Sequence, residues 1–597
     1  MPLTPFVLLG ACWTGIVLVW LAWAAGRLTA WVSGRPAGPA FGQGFIVAVL
    51  HSQWETAYPG INRAVVAGVF AALVAVLLVP LTGGWVWWQA RRGRADDPLP
   101  SLAHTREVAG LAPAGAAARA KDLRPGLAGK PLQPADIGLP LGVLQLPGGD
   151  GPLLRASWED GILAVMGPRA MKTTAIAVPQ IVDAPGAVLA TSNRADVWAT
   201  THRRRAQAGR VWLFDPQAIT RTGQSWWWDP LAAVATVEDA ARMASHFVQP
   251  MRRDRGEDFW LLAAEDLLAS LFLAAATSGA GMNGVQTWLA DATDDEPVGR
   301  LFDLGYPQTA RALRGRQNGA AETRDGIYET ARTAARCLQD PRVMAWVTAS
   351  DEPLPRFDPD AFPVSTDTIY LLSKDGAGSS GPLVAALTDQ IMRYAVRRAE
   401  ALGGRLDPPM LCMLDEAANI CPLADLPQLY SHFGGRGINL VTILQTYQQG
   451  TTVWGERGMG ILWGAATIKL VGAGADDPRF ASDISTLIGE HDVATLSLTR
   501  DATGYVSRQV SVRRQRILGP EDIRAIARGT AILFATGSRA ALVALQPWFR
   551  GAHAVTLTED TAAAVAAISD AADRERLQAV IAEADRYLPA PRDPGGP

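Results

Sequence analysis

Two adjacent carboxylates, Asp415 and Glu416, end the apolar run Met410–Leu414, and one amide, Gln445, ends a second run, Ile438–Leu444. Short apolar runs that each stop on a polar residue describe buried strands at the carboxyl edge of a parallel sheet. Open α/β folds place their ligands at that edge. An acidic pair there suits hydrolysis of a nucleotide. Asp415 would hold Mg²⁺ through water, and Glu416 would orient and deprotonate the attacking water. Gln445 would sense the γ-phosphate from the neighbouring strand. The competing reading is a helix N-cap, acidic because the helix dipole favours it.

Upstream, an apolar run at 162–166 leads into Gly167, Pro168, Arg169, Ala170, Met171, Lys172, Thr173 and Thr174, and a helical pattern follows. Strand, loop, Lys-Thr, helix is the order in which backbone N–H groups and a helix N-terminus cradle phosphate. Lys172 would reach the β- and γ-phosphates, and the Thr173 hydroxyl would bind Mg²⁺. The loop departs from GxxxxGK[ST]: Gly167 stands five residues before Lys172 rather than six, and Met171 fills the second glycine's place. A bulky residue adopts that glycine's backbone geometry only at a cost of ~1–2 kcal/mol. Three readings stay open: a working shortened loop, a loop that binds nucleotide without turnover, and an ordinary strand-to-helix turn.

Further strands are expected at 187–190, 211–214, 368–372, 468–471, 531–535 and 541–545. With the three above they make an α/β protein with a parallel sheet. Between Asp229 and Trp346 the pattern is helical throughout, at 237–247, 258–276 and 324–338, so an all-α insertion interrupts the sheet. Glu257, Asp258 and Glu265 read as its solvated face. The expected division is a membrane hairpin at 1–93, a linker at 94–140, an α/β domain at 141–228 and 351–556 around an insertion at 229–350, and a C-terminal helical segment at 557–597. That last segment reads as a helix pair closed by a disordered PAPRDPGGP tail.

The 597-residue chain is 19% charged and 48% hydrophobic, with a net charge of −3. No global basic field marks it as a nucleic-acid binder. Its four cysteines form no CxxC pair, which disfavours a metal site or a disulfide framework. Uncharged runs at 6–25 and 64–88 are long enough to cross a hydrocarbon core. Trp85, Trp87 and Trp88, then Arg91, Arg92 and Arg94, give the second run an aromatic belt and a cytoplasmic flank. That predicts a hairpin with both ends inside and a loop near 27–63 outside.

Together these parts resemble the type IV secretion coupling proteins of the TraG/TraD group, especially their actinobacterial conjugation forms. The resemblance rests on MGPRAMKTT, DAPGAVLATSNRADVWATT, VWLFDPQ, MLDEAANICPLADLPQLYSHFGGRGINLVTILQTYQQ and GTAILFATGSRAALVALQPWF, and on the two apolar spans and the helical insertion. It implies a RecA-like P-loop NTPase using ATP and Mg²⁺, anchored in the inner membrane by a two-helix transmembrane hairpin, with the bulk of the chain cytoplasmic. It further implies a homo-hexamer around DNA, single-stranded ahead of double-stranded, that takes cargo from a relaxase and passes it to a secretion channel. Lys172 and Thr173 fall on the family's Walker A, Asp415 and Glu416 on its Walker B, and Gln445 on the glutamine ending the next strand. Arg436 is the available trans-acting arginine, and Arg203–Arg205, Arg252, Arg253 and Arg255 are candidate DNA contacts. Two alternatives are a catalytically silent membrane receptor for secretion substrates, favoured by Met171, and an FtsK-like translocase of double-stranded DNA.

Overall fold

The computed structural model describes residues 4–92, 98–255, 258–350, 353–376, 378–500 and 506–587. Arg94, Glu257, the C-terminal tail and the side chains of Trp85, Trp87, Trp88, Arg91, Arg92, Arg253 and Arg255 lie outside them. The chain divides into two units, 1–97 and 98–597.

In the first unit, helices Thr4–Val32 and Arg63–Arg92 pack through small and aliphatic residues such as Ala25, Ala30 and Val66. Their outer faces expose Trp13, Ile16, Val17, Trp20, Val76 and Val79, an apolar surface that suits lipid rather than water. The first helix runs past the expected end at residue 25, so Arg27 is helical and its guanidinium lies over the Trp23 ring. The connection is not a plain loop. Two short helices, Gln43–Leu50 and Trp54–Ala57, fold back and bury Phe45, Ala48 and Tyr58 against the pair.

Among the described residues the second unit is built on thirteen strands: β1 Leu139–Leu146, β2 Gly149–Ala156, β3 Ile162–Val165, β4 Val188–Ser192, β5 Val211–Phe214, β6 Thr368–Leu372, β7 Met410–Leu414, β8 Ile438–Leu444, β9 Ile468–Gly472, β10 Glu490–Arg500, β11 Val506–Arg516, β12 Thr530–Ala535 and β13 Ala541–Ala544. Eleven form one sheet in the order β2-β1-β13-β12-β9-β3-β8-β7-β4-β6-β5. From β9 to β5 every pairing is parallel, whereas β12, β13, β1 and β2 add an antiparallel wing. The sheet is therefore mixed, not wholly parallel as the apolar runs suggested. Of this wing, β12 and β13 were expected as strands, whereas β1 and β2 escaped the sequence reading because they carry Pro140, Gly142 and Pro152, which edge and hairpin positions tolerate but strand patterns do not advertise. Among the described residues β10 and β11 pair only with each other, as a ribbon outside the main sheet.

The segment expected to be a tether is folded. Helix Pro113–Leu123 and its flanking turns bury Leu102, Ala103, Val108, Leu111, Ala116 and Ala120 against the core. Its alanine-rich composition hid a small packing face rather than flexibility. Between β5 and β6 the chain is helical, from Val237–Arg255 to Pro341–Val347. The central helix, Phe259–Ser278, is apolar and long enough to cross a membrane, yet Leu261, Leu267, Leu268, Leu271 and Phe272 are fully buried in the insertion. The expected C-terminal helix pair is one helix, Ala554–Tyr587. Its first turns bury Leu557 and Ala564, and Thr561 donates a hydrogen bond to Thr200 of helix Asp196–Arg205.

Candidate active site

Three adjacent parallel strands, β3, β8 and β7, aim the phosphate loop, Gln445 and the acidic pair at one place. All three run the same way, so their carboxyl ends share one edge. Neighbouring strands lie about 4.8 Å apart, which puts the three contributions within side-chain reach. The Lys172 ammonium is 2.6 Å from Glu416 Oε1. The Thr173 hydroxyl donates to Asp415 Oδ2 at 3.2 Å. Gln445 Nε2 donates to Glu416 Oε1 and Oε2 at 2.7 and 2.8 Å. Residues more than 240 positions apart thus converge, which the separate motifs alone did not require.

Local backbone chemistry holds each group. Gly167 donates its N–H to Ala473 O, and a Cβ there would lie 2.8 Å from the Cα of Gly474, so only glycine lets the loop start against the end of β9. Met171 takes φ 71°, the left-handed conformation of the glycine it replaces, and Arg169 takes φ 61°. The loop keeps a turn that glycine would favour, at a strain of about 1–2 kcal/mol for an L side chain. Thr173–Ala177 then forms a π-helical turn that continues as helix Val178–Asp183. Such turns recur at functional sites because they re-aim side chains. After β7, Glu416 is also left-handed, at φ 58°, and leads into the short helix Ala417–Ile420. Gln445 is fixed by its N–H, which donates to Gln449 Oε1, and Thr446 caps the helix that follows.

These groups open onto a cleft of about 460 Å³ whose walls also include Arg169, Arg194, Asp196 and Arg528. Burial pushes the Asp415 carboxyl up to about 6, with Lys172 opposing that shift and Glu416 adding to it. Its Oδ1 is buried without a hydrogen-bond partner among the described residues. A buried carboxylate oxygen wanting a cation, beside a hydroxyl already on the other oxygen, is a fitting donor set for Mg²⁺. When bound there, the metal would neutralise phosphate charge. Thr173 and Asp415 would hold it.

Arg528 and Arg194 were not singled out from sequence. Arg528 precedes β12, distant in the chain from every phosphate motif, and only the sheet order brings it to the cleft. Its neighbour Gly529, at φ 81°, lies against the Met171 thioether, which seats this turn on the phosphate loop. Arg436 is not in the cleft. It sits before β8, at the opposite edge of the sheet, where it pairs with Glu400 at 3.3 Å. Of the candidate nucleic-acid contacts, Arg205 is buried and tied to Thr368 and to the carbonyls of Ala184 and Gly186. Arg252 pairs with Glu265, and Arg203 with Asp560. These three are engaged within the fold, and Glu265 is correspondingly not free solvated charge.

Residues 409–528 match the family described as the TraM recognition site of TraD and TraG. Among solved structures, the bacterial conjugative coupling protein TrwB, in its unbound monoclinic form, is similar at 18% identity, covering 68% of this chain and 88% of that one with a TM-score of 0.50. Its trigonal form in complex with sulphate gives 19% identity, 66% and 87% coverage and a TM-score of 0.49. Its complex with ADP and Mg²⁺ gives 18%, 66%, 87% and 0.49. No curated protein matches the chain. The likeness to the unbound form, at a TM-score of 0.50 and 18% identity, establishes the fold alone, a RecA-type P-loop sheet carrying helices. Over 409–528 the chain matches a family of the TraG/TraD group, the one its motifs resemble.

Proposed function

We propose that this chain is a membrane-anchored coupling ATPase that recruits a relaxase–DNA substrate and drives DNA into a type IV secretion channel. One observation carries the reading: Lys172 and Thr173, after the end of β3, meet Glu416 and Asp415, at the end of β7, at 2.6 and 3.2 Å. In this mechanism Lys172 and the loop N–H groups bind the triphosphate of ATP, and Thr173 and Asp415 hold Mg²⁺. Glu416 takes a proton from the attacking water, and Gln445 reports the γ-phosphate.

The anchor reading adds detail: two spans formed by the helices Thr4–Val32 and Arg63–Arg92, both ends cytoplasmic, in the inner membrane. A homo-hexamer supplies what one subunit lacks. Arg436 reaches a nucleotide only as a neighbour's residue, from the edge opposite its own cleft. The cargo is DNA held by its phosphates, single-stranded ahead of double-stranded, and binding is therefore salt-sensitive.

The test is DNA-stimulated ATPase activity of the full chain in detergent, against Lys172→Ala and Glu416→Gln. Both substitutions should abolish turnover, with nucleotide binding kept only in Glu416→Gln. Activity indifferent to both would end the motor reading. A wild type that binds ATP without turnover would instead support the silent receptor, whose best argument is the strained Met171.

A further inference from the structure

Glu416 accepts hydrogen bonds from three donors at once. Oε1 accepts from Lys172 Nζ at 2.6 Å and Gln445 Nε2 at 2.7 Å, and Oε2 accepts from Gln445 Nε2 at 2.8 Å and Asn419 Nδ2 at 3.2 Å. An ionised carboxylate has about four lone-pair sites, so these contacts saturate it. In this arrangement no lone pair remains to receive a proton from water. A general base so engaged must lose a donor before it can act.

Which donor leaves is decided by chemistry. Gln445 is held by its own backbone N–H on Gln449. Asn419 is pinned one turn after Glu416, where its backbone N–H donates to the Glu416 carbonyl at 2.8 Å and its side chain reaches back over the carboxylate. Lys172 alone has a long flexible stem and a stronger anionic partner to turn to, the phosphates of a bound nucleotide. Its departure opens one lone pair on Oε1, where Gln445 remains, and leaves Oε2 held.

We propose that Asn419 is a positioning residue for hydrolysis: it holds Glu416 by Oε2 so that Oε1, released when Lys172 turns to phosphate, is the atom that takes the proton. The step balances simply. Water oxygen bonds the γ-phosphorus, its proton passes to Oε1, and the bridging P–O bond breaks with its electron pair on the diphosphate. The proton then leaves Oε1 for solvent or inorganic phosphate. No oxidant or further reactant is needed. The spacing explains why asparagine serves here, because three residues along a helical turn bring an amide back over the carboxylate. Its side chain does not line the cleft, so its effect runs through Glu416.

The inference rests on the hydrolysis reading above, and the test separates the two. In the full chain, kcat, KM and the dissociation constant for an ATP analogue are measured for wild type, Glu416→Gln, Asn419→Ala and Asn419→Asp. Asn419→Ala should lower kcat about tenfold with nucleotide binding unchanged, since one aligning donor is lost. Asn419→Asp, which keeps the shape, should be slower still, because it removes the donor and sets a second negative charge against Glu416. A packing role predicts the reverse order, with the isosteric Asp milder than Ala, and that order would overturn the proposal. So would an unchanged kcat, or a loss confined to nucleotide affinity. Full activity in Glu416→Gln would instead remove the hydrolysis reading itself.

Discussion

Gln445 bridges both carboxylate oxygens of Glu416, at 2.7 and 2.8 Å. The residue expected to sense the γ-phosphate therefore also grips the expected general base. A group that touches both would tie recognition of a triphosphate to the alignment of the water that attacks it. Gln445→Ala should lower kcat by about a hundredfold, the lower end of what a positioned acid–base group contributes. The dissociation constant for ADP, which lacks the γ-phosphate, should stay unchanged. Isothermal titration and steady-state kinetics separate the two, and equal weakening of ADP and ATP binding would refute the sensing role.

Asp415 should impose an acid limit on metal binding. Burial pushes its carboxyl up to about 6 in the folded chain, against about 3.9 for an exposed aspartate. A raised carboxyl holds its proton to higher pH when folded than when unfolded. The metal-free chain should thus lose stability as pH rises from about 4 to about 6. Mg²⁺ affinity should move oppositely, rising through pH 6 as the ligand deprotonates and levelling off above it. Asp415→Asn should flatten both curves, as read by thermal unfolding and Mg²⁺ titration.

Met171 tests whether the shortened phosphate loop is functional. Its φ of 71° is free to glycine, costly to methionine and worse for a β-branched residue. Met171→Gly should hold ATP at least as tightly as wild type. Met171→Val should weaken binding about tenfold by pushing the loop out of the left-handed turn. Fluorescent nucleotide titration reads both, and equal affinity in all three chains would mean that the loop geometry does not matter to binding.

Two arginines should behave differently. Arg528 lines the cleft of its own subunit, so Arg528→Ala should raise KM for ATP several-fold at any protein concentration. Arg436 lies on the far edge, beside Glu400. As a neighbour's residue, its loss should leave nucleotide affinity intact and lower kcat of the assembled oligomer by about 10³ or more. Mixing Arg436→Ala subunits with Lys172→Ala subunits should restore activity at shared boundaries. No recovery on mixing would exclude action across a subunit boundary.

Several strands were legible because a buried parallel strand must be apolar on both faces. β5, β6, β7 and β8 run over the residues the apolar runs marked, and β3, β9, β12 and β13 differ by a residue at their ends. The helical insertion was legible for a similar reason, since its central helix repeats apolar residues at every turn. What failed was where composition and packing part company. Residues 113–123 are alanine-rich and read as a tether, but alanine both forms helices and fits a tight interface. The β10–β11 ribbon escaped because its register, which places Leu496 opposite Val510, is set by pairing rather than by burial in the sheet.

By itself, the sequence determined which residue types could do phosphate chemistry and that each ends a buried strand. Whether those residues meet was not its to say, since strand order is not written in any local pattern. Tertiary structure decided it by inserting β8 between β3 and β7. The same order carried Arg528 to the cleft, while the direction of β8 set Arg436 at the opposite edge. Parallel neighbours share one carboxyl edge, and hydrogen-bonded strands cannot be more than a side chain apart, so sheet order alone turns three distant motifs into one site.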